Sequence, residues 1–326
     1  MSSRETFENL FNNKMSIDEA REFLIDLYTK GESATDIADA ASVMREHSIK
    51  LDLSTELRDS AIDVVGTGGD KSGSFNISST VSLLLSSMGC VVAKHGNRSI
   101  TSNSGSADLL EELGINLNLS TTKQIEMLED VGFTFIFAMN HHPAMKHIMP
   151  IRKSISHRTI FNLLGPLTNP AGARKYLLGV FSPEFIQVVA EALRELDVIR
   201  AYIVSSDDGM DEISLATTTQ YAFIENGSIT RGIIDPREYG FELASKEDIV
   251  GGDAKENAII TRAIFDGSST DAQRDIVLLN AAFALHADGK ASSIKEGLSM
   301  AREAIDSGVC TKHLDKIVQS SNTLGE

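Results

Sequence analysis

The sequence predicts an α/β protein with a helical N-terminal part. Apolar residues repeat with a helical period up to about residue 57. Beyond that point, short apolar strands run directly into glycine-rich or polar loops, and the first of these loops leads into a helix. This order of strand, loop and helix is typical of α/β folds, in which ligands bind at the ends of the strands.

Length, composition and charge narrow the class of protein. The 326 residues are 42% hydrophobic, which is enough for a sizeable core in one large domain or two unequal ones. The net charge of −16 repels nucleic acid and anionic membranes, so a phosphorylated ligand must be bound by local cations, backbone amides or a metal. No apolar run reaches the roughly 18 residues of a membrane span, and the N-terminus lacks the pattern of a signal peptide. We therefore expect a soluble, cytoplasmic protein, and Cys90 and Cys310 lack the spacing of a zinc site or a disulfide framework.

The N-terminal part contains two helices whose ends are marked in the sequence. Ser16 and Glu19 have the spacing of a capping box, and Gly31 fits a C-terminal stop. A second helix is predicted over residues 35–47, because its apolar residues fall on one face. Nothing in these helices indicates chemistry, so we interpret them as a packing unit.

Four strands are predicted in the remainder of the chain, each directly before a polar loop. They cover residues 62–65, 91–93, 134–138 and 201–204. The first strand is followed by a glycine loop and then by a helix from about residue 77 to Met88. Two more helices are predicted near the C-terminus, over residues 272–288 and 292–306.

The sequence Gly-Thr-Gly-Gly-Asp at residues 66–70 has the composition of an anion-binding loop. Glycines adopt backbone conformations that other residues resist, and they let amide N–H groups approach an anion closely. The helix that follows directs the positive end of its dipole to the same place. The loop is not a Walker A motif, because Asp70 stands before Lys71 where a glycine is required, and Lys71 takes the place of the last glycine of a dinucleotide fingerprint. The ATPase and dinucleotide hypotheses are therefore disfavoured, and a diphosphate group fits the loop.

Two further polar segments favour phosphate binding over an unliganded glycine turn. Hydroxyl and amide groups follow the glycine loop at Ser74, Asn76, Ser78 and Ser79. The sequence Lys-His-Gly-Asn-Arg at residues 94–98 places three potentially cationic groups in five positions, and further donors follow it. On charge alone this second segment would be a solvated basic turn, but it stands out in a chain this acidic.

A dense group of carboxylates follows the last predicted strand, at residues 207–212. Hard oxygen ligands of this kind hold Mg²⁺, which typically keeps several waters and bridges to the phosphates of a substrate. Taken alone, the segment would be an exposed acidic turn. Together with the glycine loop, it predicts a metal that joins the acidic loop to a diphosphate.

Six sequence blocks together resemble the anthranilate phosphoribosyltransferase family in order and spacing. They are DVVGTGGD at 63–70, FNIS at 75–78, KHGNR at 94–98, SGSADLLE at 104–111, HPAMK at 142–146 and RTIFNLLGPLTNP at 158–170. The resemblance covers nearly the whole chain, and the set is far more specific than any single glycine motif.

The resemblance implies a fold, a reaction and an assembly. The fold is a small all-helical domain, residues 1–57 plus about 160–180, beside a larger α/β domain, residues 58–159 and 181–326, with a central, mostly parallel sheet flanked by helices. Substrates bind between the domains, and a homodimer forms largely through the helical ones. The implied reaction transfers phosphoribose from 5-phosphoribosyl 1-diphosphate to the amine of anthranilate in tryptophan biosynthesis, with Mg²⁺ as the cofactor.

The resemblance also assigns site residues by their place in the family pattern. Those implied for 5-phosphoribosyl 1-diphosphate are Gly66, Gly69, Asp70, Ser74, Asn76, Ile77, Ser78, Ser79, Lys94, His95, Gly96, Asn97, Arg98, Ser99, Ile100, Thr101, Ser102 and Ser106. Those implied for anthranilate are Gly66, Asn97, His142 and Arg152, and the magnesium ligands are Ser78, Asp211 and Glu212. No residue is assigned as a general base, because the proton of the aryl amine becomes acidic once the new bond forms and positioning matters more.

The chain departs from the family pattern at four places. Ser205 and Ser206 stand where the family often has His-Gly, Ser79 where Thr is usual, Ser156 where Gly is usual and Tyr176 where Gln is common. The aromatic substrate is therefore less firmly indicated than diphosphate binding. Two alternatives remain open, a pyrimidine nucleoside phosphorylase-like enzyme and a non-catalytic relative that binds nucleic acid. The sequence at residues 94–98 disfavours the first, and the charge of −16 with an intact acidic loop disfavours the second.

Overall fold

The computed structural model describes residues 2–70, 72–99 and 103–325. Within these residues, seven strands form one sheet in the order β3-β2-β1-β4-β5-β6-β7. The strands are β1 Ala61–Gly66, β2 Val91–Gly96, β3 Phe133–Phe137, β4 Lys175–Gly179, β5 Arg200–Ser206, β6 Thr219–Glu225 and β7 Ser228–Ile234. The predicted α/β class with a central, mostly parallel sheet is confirmed.

The sheet is parallel from β3 through β5 and antiparallel from β5 to β7. The register places Gly66 of β1 opposite Gly179 of β4, and Gly179 opposite Val204 of β5. Because parallel strands end at the same edge, the loop after β1 and the turn after β5 lie at the same edge of the sheet and flank the end of β4. This edge carries the candidate site.

Four helices precede the sheet, and their ends follow the signals in the sequence. They are α1 Ser3–Phe11, α2 Ile17–Lys30, α3 Ala34–Glu46 and α4 Thr55–Ser60. Ser16 and Glu19 form the predicted capping box of α2, and the backbone φ of 79° at Gly31 ends that helix in a conformation that favours glycine. Ser33 and Asp36 form an equivalent capping box at the start of α3.

Eleven further helices lie among and after the strands in the described part of the chain. They are α5 Ile77–Ser87, α6 Ser106–Glu112, α7 Thr121–Val131, α8 Ala138–His141, α9 Met145–Lys153, α10 Phe161–Leu164, α11 Phe185–Glu195, α12 Ala254–Asp266, α13 Asp271–Asp288, α14 Ile294–Asp306 and α15 Val309–Gly325. Short 3-10 turns cover Gly165–Leu167, Pro236–Tyr239 and Lys246–Ile249. None of the described helices is both long enough and apolar enough to cross a membrane.

Helices cover both faces of the sheet, and each face has its own hydrophobic cluster. Along β5, Tyr202 and Val204 belong to the cluster that includes α5, α13, α14 and α15, whereas Ala201 and Ile203 belong to the cluster with α1, α2, α3 and α11. This alternation is the period of two that a strand buried on both faces requires.

Two segments lie in a different part of the structure from the one that the predicted domain limits imply. Lys175–Gly179 is strand β4 in the middle of the sheet, so the end of the segment implied for the helical domain lies in the α/β part. Helix α9 packs against α1 and α2, although its residues fall within the range implied for the α/β domain. The division into two domains itself stays a prediction.

Candidate active site

Three carboxylates from two loops converge at the C-terminal edge of the sheet. Asp70 follows β1, and Asp211 and Glu212 follow β5; one oxygen of each lies within 4.8 Å of the others. Ser78, in the first turn of α5, lines a small cavity together with Asp211 and Glu212. The structure thus brings together the glycine loop and the acidic loop, as the sequence predicted.

Two glycines give the acidic loop the room to approach the sheet. A Cβ added at Gly66 would lie 2.8 Å from Cγ of Asp211, and a Cβ at Gly179 would overlap the Asp211 main chain. Neither glycine is needed for its backbone conformation, since both lie in ordinary strands. Their missing side chains instead make the space in which Asp211 sits.

The environment of the carboxylates disfavours three negative charges without a counter-ion. Burial and the charge of Asp70 raise the pKa of Asp211, although the Gly68 N–H donates a hydrogen bond to its Oδ2 at 2.6 Å. Burial and the charge of Asp211 raise the pKa of Glu212. Oδ2 of Asp70 is buried and makes no hydrogen bond with the described residues. This set of hard oxygens, with one unpartnered acceptor, fits a Mg²⁺ ion.

The other two acidic residues of this turn serve its structure. Oδ2 of Asp208 accepts a hydrogen bond from Ser214 Oγ at 2.9 Å, and Ser206 Oγ donates to Oδ1 of the same carboxylate. Asp207 accepts from Gln220 Nε2 at 2.8 Å. These bonds hold the turn in shape and leave Asp211 and Glu212 as the pair that faces the glycine loop.

A buried cation lies next to this edge. Lys94 is 1% exposed, and its ammonium donates to the carbonyl of Val64 at 2.7 Å. Burial lowers the pKa of Lys94 to about 8, an effect that the charges of Asp63 and Glu212 oppose. Burial likewise raises the pKa of Asp63 to about 7, against the influence of Lys94. Lys94 is therefore largely charged near pH 7 and lies at the strand end where a phosphate would bind.

Asp63 also fixes the neighbouring backbone and the segment after α10. Its Oδ2 accepts from Asn169 Nδ2 at 2.8 Å and its Oδ1 accepts from the His95 N–H at 3.3 Å. Asn169 donates a second bond to the Ala93 carbonyl at 2.8 Å. The motif at 94–98 is thus joined to the segment that follows α10 through fully buried hydrogen bonds.

Two neutral imidazoles and one buried guanidinium form the neighbouring part of the site. The rings of His95 and His142 lie 5.2 Å apart, and Nε2 of His95 is buried without a hydrogen bond. Burial lowers the pKa of His142 to about 4 and that of His95 far below its usual value. The Arg152 guanidinium lies over the Phe161 ring at 5.3 Å and donates to Met149 Sδ at 3.6 Å, and burial lowers its pKa without a charged partner among the described residues. Arg152 is therefore available to a carboxylate ligand.

The remaining residues implied for the diphosphate lie around the start of α5 and the segment 94–98. Oδ1 of Asn76 accepts from Asn257 Nδ2 at 2.8 Å, and Asn76 Nδ2 donates to the Ser104 carbonyl at 3.2 Å, so this amide braces the site. Ser79 Oγ is buried without a hydrogen bond, and the N–H groups of the first turn of α5 lack partners within the helix. Ser74 forms an isolated antiparallel β-bridge with Val250.

The segment at 94–98 contributes fewer free cations than its composition predicts. The guanidinium of Arg98 is bound by Asp108 at 2.9 Å and by both oxygens of Glu111 at 2.6 and 2.7 Å. Asn97 accepts from the Arg98 N–H at 2.8 Å and from Ser106 Oγ through its carbonyl at 3.2 Å. The further residues implied here are placed as follows: Gly96 ends β2, the Ser99 N–H donates to Asp108, Ile77 lies in the core, and Ile100, Thr101 and Ser102 fall outside the described residues. With Arg98 paired and His95 neutral, Lys94 is the cation of this segment that remains for a ligand.

Comparisons of sequence and of structure with known proteins all identify similarity to a single family. Residues 58–311 match the family described as glycosyl transferase family, a/b domain. Anthranilate phosphoribosyltransferases from Parvibaculum lavamentivorans and Thermomicrobium roseum are 42% and 45% identical; the matches cover 98% and 92% of this chain and 92% and 86% of those proteins. The crystal structure of the enzyme from Thermus thermophilus has a TM-score of 0.91 at 39% identity, over 98% of this chain and 94% of that one. The enzyme from Saccharomyces cerevisiae in complex with PRPP and Mg has a TM-score of 0.88 at 28% identity, over 99% and 94%.

Proposed function

The chain belongs to the anthranilate phosphoribosyltransferases of the glycosyl transferase family, and from that premise we propose which of its residues bind the diphosphate, the metal and anthranilate. The enzyme transfers phosphoribose from 5-phosphoribosyl 1-diphosphate to the amine of anthranilate, giving N-(5-phosphoribosyl)anthranilate and diphosphate in tryptophan biosynthesis, with Mg²⁺ as its cofactor. One observation carries the assignment of the site. The glycine loop after β1 and the carboxylates after β5 meet beside the buried Lys94.

The diphosphate binds where amides and a cation meet. Backbone N–H groups of the loop at 66–70 and of the first turn of α5 point toward an anion, and Ser78 and Ser79 add hydroxyl groups. Lys94 supplies the positive charge. Because these groups are held in place before the reaction, they stabilise the negative charge that develops on the leaving diphosphate.

Asp211 and Glu212 hold the metal, with Ser78 in the same cavity and Asp70 next to both carboxylates. When bound, Mg²⁺ neutralises part of the charge on the diphosphate and makes it a better leaving group. The chain's own contribution is to keep the carboxylates in a fixed geometry. Gly66 and Gly179 provide the space for that geometry, as described above.

Anthranilate binds near Arg152, whose guanidinium has no charged partner among the described residues and suits an aromatic carboxylate. His95, His142 and Asn97 line the path between this guanidinium and the diphosphate. Because both imidazoles have strongly lowered pKa values, they are neutral and weak bases near pH 7, and their role is to orient the amine. The amine attacks ribose C1 as the bond from C1 to the diphosphate breaks, and its proton is lost afterwards without a dedicated base.

The decisive experiment follows the fluorescence of anthranilate. Adding 5-phosphoribosyl 1-diphosphate and Mg²⁺ to enzyme and anthranilate is expected to abolish the fluorescence with time, and omission of the metal is expected to prevent this. Substituted benzoates should compete. Phosphate-dependent cleavage of thymidine or uridine, without turnover of anthranilate, would instead identify a nucleoside phosphorylase. Binding of single-stranded DNA at physiological salt in a mobility-shift assay would favour the nucleic-acid hypothesis.

The assembly and the location of the enzyme follow from the same resemblance. A homodimer formed through the helical part is supported by apolar side chains exposed there, among them Ile17, Tyr28 and Ile49. Light scattering is expected to give twice the chain mass of 35.3 kDa. A cytoplasmic location suits an enzyme of amino-acid biosynthesis, and a division into helical and α/β domains would place the substrates between them.

A further inference from the structure

An amide is buried within an apolar stretch of helix α13. Asn280 lies in the middle of α13 and is 1% exposed, and the residues around it, from Ile276 to Leu285, are otherwise apolar. Both N–H groups of the amide donate, to the carbonyl of Ile213 at 2.8 Å and to that of Ile276 at 2.9 Å. Its Oδ1 accepts from the N–H of Ile213 at 3.0 Å. A buried amide without partners is costly, so these bonds fix the amide and whatever it holds.

The amide holds the residue that directly follows the metal pair. It forms hydrogen bonds with both the N–H and the carbonyl of Ile213, the residue after Glu212. The backbone of this residue is therefore fixed by two bonds to a single side chain. Asn280 also lines the small cavity that contains Asp211, Glu212 and Ser78. The Asp211 main chain of the same turn also lies against Gly179 of β4. The carboxylate pair is therefore in contact with a strand end and is followed by the residue that this amide holds.

Helix α13 is itself fixed to the sheet. At its C-terminal end, Lys175 of β4 donates to the Asp288 carbonyl at 2.7 Å, and Arg200 of β5 donates to the His286 carbonyl at 2.8 Å. Cations at this end of a helix satisfy its last carbonyls and its dipole. The helix is therefore a rigid reference, and Asn280 transmits its position to the acidic turn.

We propose that Asn280 is a positioning residue that holds Asp211 and Glu212 in the geometry in which they bind the metal. The proposal rests on the function proposed above for those carboxylates. Neighbours that orient metal ligands change metal affinity when they are removed, although they do not touch the ion. Removal of the amide leaves the N–H and the carbonyl of Ile213 without their partner and lets the turn shift.

The test measures metal binding without substrates. Mn²⁺ serves as the probe, because the electron paramagnetic resonance signal of free Mn²⁺ falls as it binds. In Asn280→Ser, the hydroxyl is too short to reach both groups of Ile213, and we expect the dissociation constant for Mn²⁺ to rise by roughly tenfold. Asn280→Leu removes all hydrogen bonds at similar volume and is expected to have at least the same effect. If the leucine variant does not fold, the serine variant, in which a water can replace the amide, decides the question.

Thr261→Val is the matched control. It removes a buried hydrogen bond between helices, from Thr261 Oγ1 to Thr80 Oγ1 at 2.9 Å, without touching the acidic turn. We expect lower stability but unchanged Mn²⁺ affinity. Unchanged Mn²⁺ affinity in both Asn280 variants, or an equal loss in Thr261→Val, overturns the proposal.

A second readout separates positioning from a general loss of folded protein. In Asn280→Ser, turnover should return toward the wild-type value at saturating Mg²⁺, with the loss confined to limiting Mg²⁺. A merely structural role lowers the active fraction at every metal concentration. Because Mn²⁺ binding is measured without anthranilate, a wild-type enzyme that fails to use anthranilate would count against the proposed function and leave this test intact.

Discussion

Gly66→Ala tests whether the glycine loop makes space for the metal ligand. Gly66 is the last residue of β1, where the backbone accepts any residue, so alanine introduces no conformational strain. Its Cβ, however, would lie 2.8 Å from Cγ of Asp211, while ordinary contacts begin at 3.4 Å. The carboxyl group must therefore retreat by at least about 0.6 Å, which exceeds the roughly 0.5 Å within which a functional group must be held. The same movement weakens the 2.6 Å hydrogen bond from the Gly68 N–H.

The expected cost follows from this displacement. A shift of about 1 Å in a catalytic constellation costs on the order of 10²-fold in rate, or about 2.7 kcal/mol. We therefore expect kcat/KM to fall by about that factor and Mn²⁺ affinity to fall by roughly 10- to 100-fold. Both are measured on the same preparation, the first by anthranilate fluorescence and the second by paramagnetic resonance.

Gly73→Ala provides the control within the same loop region. Gly73 has a backbone φ of 71° and no atom within 4 Å of an added Cβ, so alanine there is strained but has space. It should cost about 1–2 kcal/mol locally while leaving Mn²⁺ affinity near the wild-type value. If Gly66→Ala loses activity but binds Mn²⁺ as the wild type does, the methyl group acts on the substrate rather than on Asp211, and the reasoning is refuted.

Three further predictions concern charge and stability. Asp211→Asn or Glu212→Gln should lower turnover by at least about tenfold, on the order of 1.4 kcal/mol of barrier; wild-type rates from both at limiting Mg²⁺ would falsify the metal assignment. The Lys94 ammonium has a pKa of about 8, so its charge is present below pH 8 and lost above it. The value of kcat/KM for 5-phosphoribosyl 1-diphosphate should therefore fall above pH 8, by up to about tenfold per pH unit, and a flat profile to pH 9.5 contradicts this role. Glu32→Gln breaks a two-pronged ion pair with Arg158 at 2.8 and 2.9 Å, in which the Glu32 side chain is 1% exposed. Urea denaturation should show that the free energy of unfolding falls by about 2–3 kcal/mol, less than for a fully buried pair because Arg158 keeps some contact with water. A fall below about 0.5 kcal/mol contradicts a stabilising role for this ion pair.

The strands that the sequence predicted are those with a local mark at their end. β1, β2, β3 and β5 each reach glycine or polar residues within a few positions of their end, and the structure confirms all four strands, with ends that differ by up to three residues. β4 also ends in a glycine, Gly179, but apolar Val180 and Phe181 follow it instead of a polar loop. Periodicity cannot distinguish so short an apolar run from a helical turn. Only its pairing with β1 and β5 makes it the central strand.

The antiparallel hairpin after the acidic turn was missed although its signal is present. β6 and β7 are joined by Asn226 and Gly227, whose backbone φ angles are 49° and 80°. Asn-Gly between two strands is the strongest short-range signal of a hairpin, because both residues accept positive φ.

Within the site, composition identified the ligands but not the groups that support them. The sequence offered four neighbouring carboxylates, and only the hydrogen bonds of Asp207 and Asp208 show that these two shape the turn. Asn257 and Asn280 lie about 45 and 70 residues beyond Glu212, so no local pattern connects them with it. An amide inside the apolar run of α13 was nevertheless a signal, since a buried polar group must have partners.

The serines that replace the family's His-Gly fall on the support of the acidic turn rather than on its ligands. Ser206 Oγ accepts from the Met210 N–H at 2.9 Å and contacts Asp208, so this hydroxyl builds the turn that carries Asp211. Ser205 shares the face of β5 with Ile203, toward α11, and its Oγ is buried without a hydrogen bond. Because strand side chains alternate, a change at residue 205 alters volume on the face away from the α5 and α13 side. The two serines therefore act in different places: Ser206 bears on the turn that carries Asp211, whereas Ser205 changes only the space on the α11 side of the sheet.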